Sequence, residues 1–293
     1  MNNCLELINK ILLNNGISFN RELKIFDTHC HLSDLLYNEE EFLKIVNTIS
    51  KLGIHLYVLN IGYDIKSSIR TLEQAKSFPK FIYPAIGIHP ESSENLNDKS
   101  IAWLEGMINS NSSRVVAIGE IGLDYYRNPS LSSIKRQKKY FKKQILLAKR
   151  YNLPVLIHLR DNGDNSAFFD AIYILKKVHW NRGVVHCFSS NEYDIAKQFT
   201  ELGFYISFSG IITFKNNEKI SDLIHKIPIE KIVVETDSPY LSPEPFRGRK
   251  NFPWNVIFNL KVISDVKHIP LSEVVKKVFF NSFSLLWETN DKI

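Results

Sequence analysis

Eight short runs rich in β-branched and aromatic residues recur along this 293-residue chain, and stretches with helical spacing separate them. They are KIFDTH (24–29), HLYVLNIG (55–62), FIYPAIGIH (81–89), VVAIGEIGLD (115–124), PVLIHLR (154–160), GVVHCFS (183–189), GFYISFSG (203–210) and KIVVETDSPY (231–240). Most are near-continuously apolar, as strands buried on both faces are. Between them, 39–52 sets Phe42, Leu43, Ile45, Val46, Ile49 and Leu52 at helical spacings, and 133–150 is basic on one side and apolar on the other. The stretch 270–287 reads as an amphipathic helix of an outer ring. Eight strands alternating with helices in this length predict a (β/α)8 TIM barrel of the α/β class. A doubly wound sheet is the competitor, but no glycine-rich dinucleotide loop follows the first run. No low-complexity segment, Pro/Ser-rich linker or composition break divides 24–293, which reads as one domain. Ahead of it, Leu5, Ile8, Ile11 and Leu12 give residues 1–23 a short amphipathic helix.

The strand C-terminal ends then collect an unusual set of side chains. His29 and His31 close the first run, and because strand side chains alternate they point the same way. His89 follows the third run, Glu120 lies on the fourth, His158 on the fifth, His186 on the sixth and Asp237 on the eighth. Active sites of such barrels are built at this rim. Taken singly, His89 before Pro90 reads as a turn residue, and His158 or His186 as a buried histidine bonded to a carbonyl. Carboxylates inside VAIGEIG and VVETDSP are harder to explain, because an unpaired buried carboxylate is costly. Divalent ions would supply the missing positive charge. Imidazole and carboxylate without thiolate suit Zn²⁺, Mn²⁺, iron or Mg²⁺. Six ligating side chains exceed what one tetrahedral ion takes, so two ions bridged by a carboxylate are expected. Hydrolysis is the default chemistry of such a pair.

Charge adds a weak pointer: 37 Lys+Arg against 31 Asp+Glu is a modest excess, compatible with a phosphate-bearing partner. Cys4, Cys30 and Cys187 are scattered and odd in number, which implies no disulfide framework. Strand alternation would turn Cys30 and Cys187 away from the histidines beside them, as apolar filler. No span reaches the ~18–20 apolar residues of a transmembrane helix, and the N-terminus lacks the pattern of a signal peptide. The expectation is a cytoplasmic protein, monomeric and without a membrane partner.

FDTHCHL, GIHP, GEIGLDYY, IHLRD, HCFSS, ISFSG and ETDSPYLSPEPFRGRKNFP occur in that order across residues 24 to about 255. Together they resemble the TatD family of metal-dependent deoxyribonucleases, barrels of the amidohydrolase-like group. The resemblance implies that His29 and His31 hold a first metal, that Glu120 bridges, and that His158 and His186 hold a second. It further implies that Asp237 binds the first metal and acts as general base. The substrate it implies is DNA, single-stranded or frayed, cut at phosphodiester bonds to leave 5′-phosphates, in the manner of a 3′→5′ exonuclease. Arg160 and Arg247 could fork onto phosphate oxygens, with Arg249 and Lys250 adding charge, and His89 could hydrogen-bond a phosphate. Tyr125 and Tyr126 could stack on bases or pack the rim. Glu91 after GIHP, Asn162 after IHLRD and Ser190 in HCFSS depart from the family pattern; Glu91 would repel a phosphate. The alternative is an amidohydrolase-type hydrolase of a small ester, amide or aminoacyl ester. Many of those bridge their metals with a carboxylated lysine on the fourth strand, where this chain has Glu120 and no lysine between Arg114 and Ser130. A barrel that has lost its chemistry should lack a ligand, and all six are here.

Overall fold

The computed structural model describes residues 2–16, 23–34, 36–52, 54–92, 96–110, 114–127, 129–215 and 217–287. Its elements run α1 (Asn2–Asn14), β1 (Lys24–Cys30), α2 (Glu39–Lys51), β2 (His55–Ile61), α3 (Ile65–Ser77), β3 (Ile82–Ile86), α4 (Asp98–Ser110), β4 (Ala117–Asp124), α5 (Leu131–Arg150) and β5 (Val155–Arg160). There follow α6 (Ser166–Val178), β6 (Gly183–Val185), α7 (Tyr193–Glu201), β7 (Tyr205–Phe208), α8 (Glu218–Lys226), β8 (Ile232–Val234), α9 (Val256–Lys267) and α10 (Leu271–Leu286). All eight strands are parallel and lie in chain order in one sheet, β1 to β8. A single bridge between Cys30 and Ser238 closes the sheet, flanked by His31 N–H to Ser238 O (2.7 Å) and Asp237 N–H to His29 O (2.8 Å). The seam therefore meets at the rim where the histidines cluster. The predicted TIM barrel is the observed fold.

Strand alternation explains why a polar site can sit inside such a core. Phe26, Ala85, Ala117, Leu156, Val184 and Val233 form an apolar floor inside the barrel. Two residues further along the same strands stand Thr28, Gly87, Gly119, His158, His186 and Glu235, on the same side. The two glycines leave room: a Cβ on Gly87 would lie 2.6 Å from the Gly119 carbonyl carbon. Gly122 is required for a different reason. At φ +155° its absent side chain would fall 1.9 Å from the His158 carbonyl oxygen, where β4 runs against β5.

Two expectations need correction. The 270–287 stretch does form α10, but its last turn does more than complete an outer ring: Leu285 and Leu286 seal the apolar floor, and Trp287 packs edge-on to Tyr83 with centroids 5.1 Å apart. Strand alternation also fails for Cys187. β6 stops at Val185, and Cys187 stands at φ +44°, half-buried, with its thiol 3.3 Å from the Ser209 hydroxyl. Cys30 does behave as buried filler, its thiol aimed at the Leu59 carbonyl. At the N-terminus, α1 buries Cys4, Ile8 and Leu12, and the Cys4 thiol donates to Asn255 Oδ1 at 2.8 Å.

Candidate metal centre

Glu120 stands at the middle of the rim cluster, and its two oxygens face different partners. Oε2 lies 3.6 Å from His29 Nε2 and 3.5 Å from His31 Nε2. Oε1 lies 2.8 Å from His186 Nε2, 3.0 Å from His158 Nδ1 and 3.4 Å from His89 Nε2. Asp237 Oδ1 approaches the first pair, 3.4 Å from His31 Nε2 and 3.8 Å from His29 Nε2. The His29 and His186 rings stack with centroids 3.9 Å apart, which joins the two halves. Asp237 lies three residues past β8 rather than on it, in a left-handed turn at φ +55°, and His186 is the first residue beyond β6. Asp27 explains how the turn is held. Its carboxylate accepts the Thr236 N–H (2.9 Å) and the Thr236 hydroxyl (2.5 Å), pinning the start of the Asp237 loop to β1.

The outer hydrogen bonds decide which histidines can offer a lone pair inward. A carbonyl or carboxylate can only accept, so the ring nitrogen facing one carries the proton. His31 Nδ1 faces Ile61 O (3.0 Å), His158 Nε2 faces Asp124 Oδ2 (3.1 Å), and His186 Nδ1 faces Glu235 Oε1 (3.2 Å). The outer nitrogen of each ring is thus fixed as the protonated one, and the nitrogen toward Glu120 is the one a cation would take in place of the proton that Glu120 holds there. His89 is wired the opposite way. The Glu91 backbone N–H donates to its Nδ1 (3.1 Å), so the neutral ring carries its proton on Nε2, toward Glu120. That makes His89 a donor, unsuited to ligate through Nε2.

Electrostatics match this division. Burial would push the Glu120 carboxyl up, but the surrounding imidazoles carry it well below its usual range. Burial would lower His31, yet Asp237 and Glu120 outweigh it and raise its pKa to about 9. His186 is likewise held well above its ordinary value, by Glu120 and Glu235 against burial. Without metal, the carboxylates hold protons on His31, His158 and His186, while burial keeps His29 and His89 below their ordinary value; a divalent ion would replace those protons. The donor atoms fit such an ion. His29, His31 and Glu120 offer atoms within 4.8 Å of one another, as do His29, His186 and Glu235; His89 stands as close to Glu120 and His158, but as a hydrogen-bond donor. Buried His29 Nδ1 and Glu235 Oε2 have no hydrogen-bond partner among the described residues.

Arg160 and Arg247 are not drawn into this cluster. Arg160 lies flat on the Tyr126 ring at 3.9 Å, and Arg247 on Phe214 at 4.3 Å. Tyr126 is 46% exposed, whereas Tyr125 is buried with its hydroxyl on Asp170 (3.0 Å). Lys250 turns away to Glu41 (2.6 Å). The negative charge of Glu91 is countered by Arg127 at 4.0 Å. Sequence reasoning missed Asp124 and Glu235, although both lie inside motifs it used. Asp124 follows Glu120 by four residues on a strand and Glu235 precedes Asp237 by two, but neither spacing reveals a histidine partner on another strand.

A (β/α)8 barrel with this histidine–carboxylate cluster at its C-terminal mouth defines a metal-dependent hydrolase. Residues 26–287 match the family model for TatD-related DNase. The chain belongs to that family. It is 36% identical over 252 residues to YabD of Bacillus subtilis, described as an uncharacterized metal-dependent hydrolase, covering 85% of this chain and 94% of that one. A Mycoplasma pneumoniae protein with the same description is 34% identical, covering 90% of this chain and 100% of its own. Among solved structures, YJJV, a TatD homolog from Escherichia coli, superposes with a TM-score of 0.79 at 28% identity, covering 92% of this chain and 99% of that one. No helix among the described residues is long and apolar enough to cross a membrane.

The Glu235 bond to His186 gives a direct test of the inward-facing nitrogens. Glu235→Gln removes the buried charge and weakens the hold on the His186 proton, so metal affinity should fall about 10–100-fold while the barrel persists. Metal competition against a fluorescent chelator measures this; an unchanged affinity would show that Glu235 plays no part in orienting His186.

Proposed function

We propose that this protein is a divalent-metal-dependent deoxyribonuclease that hydrolyses phosphodiester bonds of DNA as a 3′→5′ exonuclease on single-stranded or frayed ends. The observation that carries the reading is the split of Glu120, one oxygen toward His29 and His31 and the other toward His158 and His186. Two divalent ions, Zn²⁺, Mg²⁺ or Mn²⁺, would be held there. His29, His31 and Asp237 would take the first and His158 and His186 the second, with Glu120 between. Bound ions supply Lewis acidity toward a phosphodiester and toward the attacking water.

The protein's own groups account for the rest. Asp237 is the carboxylate best placed to take a proton from water: its side chain is 16% exposed, against 6% for Glu120 and Asp124 and 0% for Glu235. Burial would raise its pKa, but the His31 hydrogen bond and charge carry it below the usual value, so it is ionised and able to accept. His89 Nε2–H is the donor that can meet a phosphate oxygen. Arg160 sits on the exposed Tyr126 ring and Arg247 on the half-buried Phe214 ring, an arrangement that can hold a phosphate on the cation and a base beside the ring.

The deciding experiment is digestion of single-stranded DNA labelled at its 5′ or 3′ end. Protein stripped with chelator is resupplied with Mg²⁺, Mn²⁺ or Zn²⁺ separately. Shortening from the 3′ end, restored by a divalent ion, is the expected result. No cleavage with any ion by a metal-loaded protein would replace this reading with an ester or amide substrate.

A further inference from the structure

The positive charge of this chain is concentrated in one helix. α5 carries eight Lys and Arg and no acid, which leaves 29 cations against 31 acids everywhere else. Some of the eight are neutralised: Lys138 pairs with Asp170 and Lys143 with Asp98, both at 2.6 Å, and Arg150 with Glu105. Lys135, Lys139 and Lys142 are exposed and have no acidic partner within 4.0 Å among the described residues. Spaced by four and then three residues, they lie on one face and span about 10 Å of helix.

This face has a fixed relation to the metal centre. Barrel helices run back against the strands, so the first turns of α4 and α5 lie beside the mouth. The segment leaving β3 through His89 leads to α4, and the segment leaving β4 through Asp124 leads to α5. Between α5 and the residues that lead into α4 is a cavity of about 460 Å³ lined by Leu96, Asn97, Lys135, Arg136, Lys139 and Tyr140. Asp98 at its edge is engaged by Lys143 and Tyr140, so the lining is cationic. Tyr126 and Arg160 stand at the rim, with Arg127 one residue further along the same connection.

We propose that the α4–α5 cleft and the Lys135–Lys139–Lys142 face are an exosite for the nucleic-acid strand outside the catalytic mouth. The strand's sugar–phosphate backbone lies along the helix and its end reaches the metal centre past Tyr126. The inference rests on the nuclease reading and assigns that reading a preference for long over short substrates. The contacts are to phosphate, so they carry no base preference and are weakened by salt.

The test uses the full chain and the triple variant K135E/K139E/K142E. A second triple, K51E/K76E/K80E, makes the same charge change on exposed lysines at the ends of α2 and α3 and in the turn after α3. Binding of a labelled oligothymidylate of ~30 nucleotides is measured by anisotropy in chelator across a salt series. Turnover of bis(p-nitrophenyl) phosphate reports the metal centre alone. The α5 triple should weaken 30-mer binding at least about tenfold and flatten the log–log salt slope by about 2, at ~0.7 per phosphate contact. Its turnover of the small diester, and both properties of the control triple, should match the parent protein. Equal weakening in both triples, or none in either, overturns the exosite while leaving the nuclease reading intact. A parent protein that binds the 30-mer through α5 but cleaves neither substrate removes the nuclease reading and leaves the α5 face as a binding surface.

Discussion

Replacing Glu120 by alanine should remove hydrolysis and metal binding together while the barrel stays folded. The reason is the placement of its oxygens: His29 and His31 face one, His158 and His186 the other, so one truncation strips a donor from both halves. A loss of about 10⁴-fold in kcat/KM, some 5.5 kcal/mol of transition-state stabilisation, is the scale expected when such a centre is dismantled. The fold should survive because the apolar floor of Phe26, Leu156, Val184 and Val233 lies one layer below. The imidazoles left behind shed their protons rather than remain as unpaired buried charge. Circular dichroism and thermal melting of chelator-stripped protein check the fold, and elemental analysis of reloaded protein checks the metal. Full activity in the variant would end the assignment of Glu120 as the shared ligand.

Asp237→Asn is the second large effect, and it separates two roles. An asparagine oxygen can still face His31 and the ion beside it, but it cannot take a proton from water. A general-base role therefore predicts that kcat falls by about 10²–10⁴-fold while metal content falls much less. A parallel loss of metal and rate would mean that Asp237 acts as a ligand alone. The pH profile adds a sign. Against burial, the His31 hydrogen bond and charge depress the Asp237 carboxyl, so it stays ionised through the ordinary carboxylate range, and activity of the parent should be lost only as pH falls through its lowered pKa. In the variant that acid limb should disappear.

How much of this was legible in the sequence follows from the range of each contact. Apolar runs report strands, and all eight appear in order, because a buried parallel strand leaves its signature within a few neighbouring residues. Their ends were less legible. β6 and β8 are only three residues long, much shorter than the runs 183–189 and 231–240 in which they lie. Turns at Cys187 and Asp237, both with positive φ, end the strands without a glycine to mark the place. His158 and His186 were readable because each stands two residues beyond a floor residue, and His29 and His31 because they flank the end of β1 two residues apart. Asp124 and Glu235 were not, because each acts on a histidine from another strand, His158 on β5 and His186 after β6. Nothing local distinguishes those acids from their neighbours. Arg160 was expected to meet phosphate, and the aromatic face of Tyr126 that holds it comes from the preceding connection.

The single bridge at the Cys30–Ser238 seam joins the first strand to the segment that follows the last. β1 is made first and β8 late, and the floor between them is sealed only when Leu285 and Leu286 arrive. His29 and Asp237, 208 residues apart in sequence, meet across that seam. An ion gripped by both would fasten the first strand to the last, removing from the open chain a loop-closure entropy worth about 5 kcal/mol. On that account the ion that equips the mouth for hydrolysis is also the buckle of the barrel.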